Sequence, residues 1–173
     1  MADEAVGWLN QLNAIDPVMP FLLYYAPGGT HAPHHPTPEW IKKISDMHLF
    51  DKGWNKLRET IFANQKRLGI MPDYAKLTPW PKELPEWDSI GELEKKLFIK
   101  QADVYGAYLA YTDHEIGRVI QAVEDMGQLD DTLIIYISGD NGASAEGMIN
   151  GTPNEFTTFN GLPVPVKDQL LLV

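Results

Sequence analysis

A continuous apolar run that leads straight into a polar cluster is the feature that most constrains this chain. Residues 133–137 read Leu-Ile-Ile-Tyr-Ile, and residues 138–142 read Ser-Gly-Asp-Asn-Gly. Because the run does not alternate with polar residues, it predicts a strand covered on both faces, as in a parallel sheet flanked by helices. Ligands of such sheets bind just beyond the carboxyl ends of the strands, so the polar cluster is a candidate site.

Asp140 and Asn141 are the candidate metal ligands of this cluster. A carboxylate and a side-chain amide offer hard oxygen atoms, which suit calcium or magnesium. The same residue types are ordinary turn formers, and a polar turn after a buried strand accounts for them equally well. The spacing alone leaves both interpretations open.

A second apolar run occupies residues 21–25 and leads into a loop that contains His31, His34 and His35. If the two predicted strands are parallel, their carboxyl ends meet at one edge of the sheet. His31 would then face the same crevice as Asp140 and Asn141. The three histidines could instead form a zinc site, but adjacent histidines between prolines, without a third-ligand spacing, are more typical of a loop surface.

Helical patterns account for most of the remaining chain. Apolar spacing predicts helices over residues 3–14 and 53–68, and a third helix that begins after Thr37. Gly69 is the predicted C-cap of the second.

The region between the two predicted strands contains a proline-rich segment and a long helix. Four prolines in residues 71–87 predict an irregular surface excursion. Ser89 and Glu92 form a capping-box pattern, which predicts a long helix over residues 89–126. We interpret residues 1–173 as a single partial domain in which this helical and proline-rich region is an insertion.

Composition excludes several classes of partner. Fourteen basic against twenty-four acidic residues give a net charge of −10, and no basic run could track a phosphate backbone, so nucleic acid is not an expected partner. No apolar run reaches the roughly 20 residues of a membrane span, and no signal peptide opens the chain, so no compartment is indicated. Without cysteine there is neither a disulfide framework nor a cysteine nucleophile.

Both strand segments resemble the sulfatase family, and the arylsulfatases in particular. Residues 20–36, Pro-Phe-Leu-Leu-Tyr-Tyr-Ala-Pro-Gly-Gly-Thr-His-Ala-Pro-His-His-Pro, look like its histidine strand and loop. Residues 113–120 and 129–142 look like the helix and the metal strand of the same family. The resemblance implies an alkaline phosphatase-like α/β fold made mainly of parallel strands flanked by helices, with the metal strand and its loop at residues 132–142.

The resemblance also implies hydrolysis of a sulfuric ester, so a small sulfate ester is the expected substrate. Asp140 and Asn141 would be two ligands of a divalent metal ion, usually calcium in this family. His31 resembles the histidine that contacts the sulfate and assists the departing alkoxide, a role that imidazole suits because it exchanges protons near neutral pH. The family's nucleophile is a hydrated formylglycine.

Several family elements are missing from these 173 residues. There is no cysteine, and no serine lies in the Cys/Ser-x-Pro-x-Arg pattern from which formylglycine arises. The aspartate pair, the Lys-x-His element and the second lysine of the family are also missing. The expectation is therefore a segment that is inactive alone and is completed by the missing N- and C-terminal parts of the same enzyme.

Two alternatives stay open at this point. Phosphonate monoester and phosphodiester hydrolases of the same superfamily share the metal-strand motif, so the transferred group is less constrained than the fold. A non-catalytic binding module that retains the scaffold would also lack the nucleophile.

Overall fold

The computed structural model of the chain describes residues 1–139 and 147–172. The α-helices are α1 (Ala2–Ile15), α2 (Pro38–Ser45), α3 (Gly53–Arg67), α4 (Glu92–Asp125), α5 (Glu155–Phe159) and α6 (Val166–Gln169). Short 3-10 turns occupy Trp87–Ser89, Leu129–Asp131 and Met148–Asn150. The 34-residue α4 is about 50 Å long at 1.5 Å per residue, and α1, α2 and α6 all pack against it.

The second half of α4 forms one hydrophobic core with α1. Ala2, Ala5 and Leu9 recur at helical spacing and bury one face of α1 against Val119, Ala122 and Val123 of α4. The small alanine side chains let the two backbones approach closely. Across the edge of this contact, the guanidinium of Arg118 donates to a carboxylate oxygen of Asp3 at 2.5 Å.

The middle of α4 packs against α2, and its first half packs against an aromatic group from α3 and the following loop. Ile44 of α2 is buried, and so are Leu97 and Phe98 of α4. The ring of Trp54 lies 5.0 Å from that of Trp87 and 5.4 Å from that of Phe98, centroid to centroid. Trp87 therefore anchors the end of the proline-rich segment to the core.

The helices confirm most of the periodicity-based predictions, but the start of α4 differs. The helix begins at Glu92 with Gly91 as its N-cap, because the Ser89 hydroxyl donates to the carbonyl of Glu86 rather than capping the helix. Gly69 has a left-handed φ of +72° after α3, as a C-cap glycine requires. Residues 71–86 contain no helix or strand, which confirms the irregular excursion as far as the 3-10 turn at Trp87.

The predicted strands are not formed as strands in the described part of the chain. Residues 21–25 and 133–137 belong to no sheet there. Residues 21–25 alternate in burial: Phe21, Leu23 and Tyr25 pack against the α1–α4 core, whereas Leu22 is 91% and Tyr24 89% exposed. Within the described residues, one face of this segment is covered and the other is exposed, so the predicted sheet with both faces covered is not confirmed. The α1–α4 core covers one side of residues 21–25. A β-ladder would also need a neighbouring strand to hydrogen-bond with the backbone, and the described residues do not provide one.

The two segments nevertheless run in the same direction along α4. Pro17, before the first segment, accepts a hydrogen bond from Gln128, just beyond the end of α4. Thr30, after that segment, reaches Tyr105 near the middle of the helix. The second segment starts beyond the 3-10 turn Leu129–Asp131, and its Tyr136 reaches Asp113. Both segments therefore lead from the end of α4 toward its middle.

The last part of the chain returns to the first half of α4. The side-chain amide of Gln101 donates to the carbonyl of Asn150 at 2.9 Å, and the buried Gln169 of α6 lies beside it. Of the helices described, none combines the length and the apolar character needed to cross a bilayer.

Candidate active site

The loop after residues 21–25 presents His31 to solvent. The backbone N–H of His31 donates to the carbonyl of Gly28 at 2.8 Å, which closes a tight turn. Its ring Nδ1 lies 2.7 Å from the carbonyl oxygen of Ala32, and since a carbonyl only accepts, Nδ1 carries the proton. Nε2 of His31 is then the nitrogen available to another molecule.

His34 is held more firmly than His31 and is partly buried. Its Nε2 lies 3.1 Å from the carbonyl oxygen of Thr30, so this nitrogen is the proton donor. The imidazole stands edge-on to the ring of Tyr105, with centroids 5.2 Å apart, and is tilted against Tyr108 at 5.8 Å. Sequence reasoning considered His34 as a zinc ligand or as part of a loop surface, and it missed this position against α4.

The floor of the loop is a polar and aromatic stripe on α4. Tyr105, Tyr108 and Thr112 follow one another at intervals of three and four residues, which places them on one helix face. The hydroxyl of Thr30 donates to the phenolic oxygen of Tyr105 at 3.0 Å. Gly29 passes so close to Thr112 that a Cβ there would overlap the threonine side chain. This spacing was visible in the sequence, but it looked like ordinary core periodicity.

The other histidines do not form a catalytic or metal group with these residues. His35 is exposed. His114 packs its ring 5.3 Å from that of Trp40, while the neighbouring Asp113 accepts from the Tyr136 hydroxyl at 3.4 Å. Among the described residues, the side chains of His31, His34 and His35 do not come together as a group that could hold a metal ion.

Two tyrosines next to the site remain neutral over a wide pH range. Burial, with a smaller contribution from Glu115, raises the pKa of Tyr25 above its ordinary value. Burial and the carboxylate of Asp113 likewise raise the pKa of Tyr136. Both hydroxyls therefore keep their proton to a higher pH than an ordinary tyrosine, and that of Tyr136 donates to Asp113.

Asp140 and Asn141 lie outside the described residues. Within residues 1–139 and 147–172, no three carboxylate or imidazole groups come together as a metal site. The described residues therefore do not by themselves supply the ligands of a metal ion.

Comparison with known proteins bears directly on this arrangement. The Sulfatase family model matches residues 1–165. An arylsulfatase of Klebsiella aerogenes is 30% identical over 158 residues, which cover 90% of this chain and 32% of that protein. An uncharacterized sulfatase of Schizosaccharomyces pombe is 30% identical over 138 residues, or 78% of this chain and 24% of that protein. Arylsulfatase K of Bos taurus is 26% identical over 152 residues, or 79% and 24%. The chain belongs to the sulfatase family.

Membership of this family has consequences at the level of class. The family implies an alkaline phosphatase-like fold and, by resemblance, a sulfuric ester hydrolase. Its members act on sulfate esters and generally use a divalent metal ion, typically calcium, together with formylglycine. The chain spans about a third or less of the length of the curated relatives it matches.

Proposed function

We propose that this chain is a segment of a sulfuric ester hydrolase that contributes an imidazole and part of a metal site. The observation that carries the proposal is the common direction of the two segments along α4. The segment of residues 21–25 leads into the histidine loop, and the segment of residues 133–137 leads along the sequence toward Asp140. Both segments contact the same helix, α4. The family match over residues 1–165 indicates that the reaction is the hydrolysis of a sulfuric ester.

The imidazole comes from His31 or His34. Nε2 of His31 faces solvent, which leaves it open to a sulfate ester and its leaving group. His34 has its Nε2 engaged by Thr30, so its Nδ1 would be the reacting nitrogen, and two tyrosine rings fix its plane. A fixed imidazole loses less freedom on reaching the transition state, so the geometry favours His34 while the exposure favours His31.

Asp140 and Asn141 are proposed as two ligands of a divalent metal ion, calcium by family resemblance. Carboxylate and amide oxygens are the donor types that calcium prefers, and one formal charge makes the pair alone a weak site. When bound, the ion would neutralise charge on the sulfate oxygens. The remaining ligands would come from other parts of a sulfatase polypeptide. In the absence of a nucleophile motif in these 173 residues, the isolated chain should hydrolyse no sulfate ester.

A completed enzyme tests this proposal. The chain would be expressed within a longer polypeptide that contains a Cys-x-Pro-x-Arg motif matured to formylglycine, and turnover of 4-nitrophenyl sulfate would be compared with that of 4-nitrophenyl phosphate and a phosphonate monoester. We expect the sulfate ester to be preferred and Asp140→Ala to lose bound calcium and activity together. A preference for the phosphonate would favour the related hydrolase, and inactivity toward all three esters would favour a non-catalytic module.

A further inference from the structure

The basic residues of this acidic chain are concentrated in one segment. Residues 52–82 contain seven lysines and arginines but only two acidic residues, Glu59 and Asp73, which gives a formal charge of +5. The rest of the chain contains seven basic and twenty-two acidic residues, a charge of −15. The segment comprises α3 and most of the proline-rich excursion, so an anion that approaches the protein would be drawn to this side.

The same segment lines an open cleft of about 310 Å³ between α3 and the loop that follows it. Apolar side chains form its walls, and two cationic side chains border it. These are Ile61, Phe62, Met71 and Leu77, with Arg58 and Lys76. The volume is at the lower end of the range of small-molecule sites, which suits a ligand of one or two aromatic rings.

Arg58 is held in place by contacts that do not neutralise it. Its guanidinium donates to the carbonyl oxygen of Thr78 at 2.9 Å and to the Thr78 hydroxyl at 2.5 Å, and it lies 5.7 Å from the centroid of the Trp80 ring. The ion pairs among the described residues include neither Arg58 nor Lys76. Within residues 1–139 and 147–172, the two cationic side chains beside the apolar cleft therefore form no ion pair.

We propose that this cleft binds a small aromatic anion, with its ring against Ile61, Phe62 and Leu77 and its sulfonate, sulfate or carboxylate group on Arg58 and Lys76. A guanidinium that is already fixed loses little freedom on binding and keeps further N–H groups for a planar or tetrahedral anion. Apolar walls and convergent cations together select against both neutral aromatics and inorganic ions. The cleft shares no residue with the histidine loop, so this inference stands apart from the sulfatase proposal.

Titration of the full chain with naphthalene-2-sulfonate tests the inference, with neutral naphthalene-2-sulfonamide as the matched probe. Chemical shifts of backbone amides would report the affinity and the location of binding. We expect the sulfonate to bind at least tenfold more tightly than the sulfonamide, with shift changes centred on residues 58–78. Arg58→Gln and Lys76→Gln should each weaken sulfonate binding about tenfold, the effect of losing one charged hydrogen bond.

Lys82→Gln is the control, because it removes one charge from the same segment but does not line the cleft. It should change the affinity by less than about twofold. Equal losses for Lys82→Gln and Arg58→Gln would show a diffuse electrostatic effect and overturn the site. Equal affinity for the two probes, or shift changes centred elsewhere, would also overturn it. Arg58→Lys separates charge from shape, since it keeps the charge and loses the two contacts with Thr78. It should bind more weakly than the unmodified chain.

Discussion

The hydroxyl of Thr30 donates to the phenolic oxygen of Tyr105 at 3.0 Å, across 75 residues of sequence. This contact fixes the start of the histidine loop on the middle of α4. The carbonyl of the same threonine accepts from His34, so one residue connects the helix to the imidazole. The orientation of His34 therefore depends on a helix residue that belongs to neither strand segment.

Tyr105→Phe should loosen this connection while keeping the aromatic ring. We expect the free energy of unfolding to fall by about 1 kcal/mol, the usual net contribution of one hydrogen bond. Resonances of the His34 imidazole should shift toward those of a mobile side chain. Tyr108→Phe is the matched control, since its ring contacts His34 but its hydroxyl makes no hydrogen bond among the described residues. Urea unfolding and NMR of the two variants would decide, and equal effects would contradict the role of the Tyr105 hydroxyl.

Substitution of the two loop histidines should separate their roles in a completed enzyme. Loss of the imidazole that protonates the leaving group should reduce kcat by about 10²–10⁴, the usual contribution of one general acid or base. His31→Ala and His34→Ala would be compared with His35→Ala, whose exposed side chain serves as the control. Calcium binding should persist in all three variants. Full activity of both His31→Ala and His34→Ala would refute the proposed role of the loop.

Leu97 and Leu93 lie one turn apart on α4 and should respond differently to truncation. Leu97 is fully buried, so Leu97→Ala should destabilise the chain by about 2–5 kcal/mol through lost burial and a cavity. Leu93 is 46% exposed, and Leu93→Ala should have a much smaller effect. Thermal unfolding of both variants provides the measurement, and similar midpoints would contradict the burial of Leu97.

The contact between α1 and α4 should make stability depend on acid pH. The hydrogen bond and charge of Arg118 lower the pKa of Asp3 below its ordinary value. A lowered carboxyl pKa stabilises the folded state above the unfolded value of about 3.9, and this contribution disappears as the pH falls through the lower folded value. Asp3→Asn should therefore lower the unfolding midpoint at pH 7, and this effect should decline as the pH falls below about 4. Glu4→Gln, on the same turn of α1, is the control, and a pH-independent effect of Asp3→Asn would contradict the ion pair.

The exposed side of residues 133–137 should promote self-association. Leu133, Ile135 and Ile137 are each more than 70% exposed, and an uncovered apolar edge is a typical aggregation site. Ile135→Lys should raise the concentration at which light scattering begins. Leu171→Lys changes an equally exposed residue outside this segment and should have less effect. If both substitutions raise this concentration equally, the added charge, and not the exposed side of residues 133–137, is responsible.

The sequence predicted the helices well because each carries its signal locally. In α1, Leu9 follows Ala5 at helical spacing, and in α4, Val123 follows Val119 in the same way. Gly69 marks the end of α3 by itself. The strands could not be judged in the same way, because an apolar run such as residues 133–137 indicates a strand without showing whether a neighbouring backbone is present. The packing of the His34 ring on α4 was missed because it depends on Tyr105, which is far away in sequence. The strand pattern placed His31 near Asp140 and Asn141, but its contact with the sulfate came from the resemblance, and this role is still a prediction.

Helix α4 is continuous from Glu92 to Asp125, and the helices that pack on it determine the order in which its parts unfold. Helix α2 covers the middle of α4 and α1 covers its second half, so either neighbour can detach while the other still protects part of the helix. Amides near Ala107 lie beneath both α2 and the histidine loop, so they become accessible only when both of these contacts are lost. Hydrogen exchange should therefore be slowest beneath the histidine loop and faster toward Glu92 and Asp125. The floor of the candidate site would then be the last part of the chain to melt.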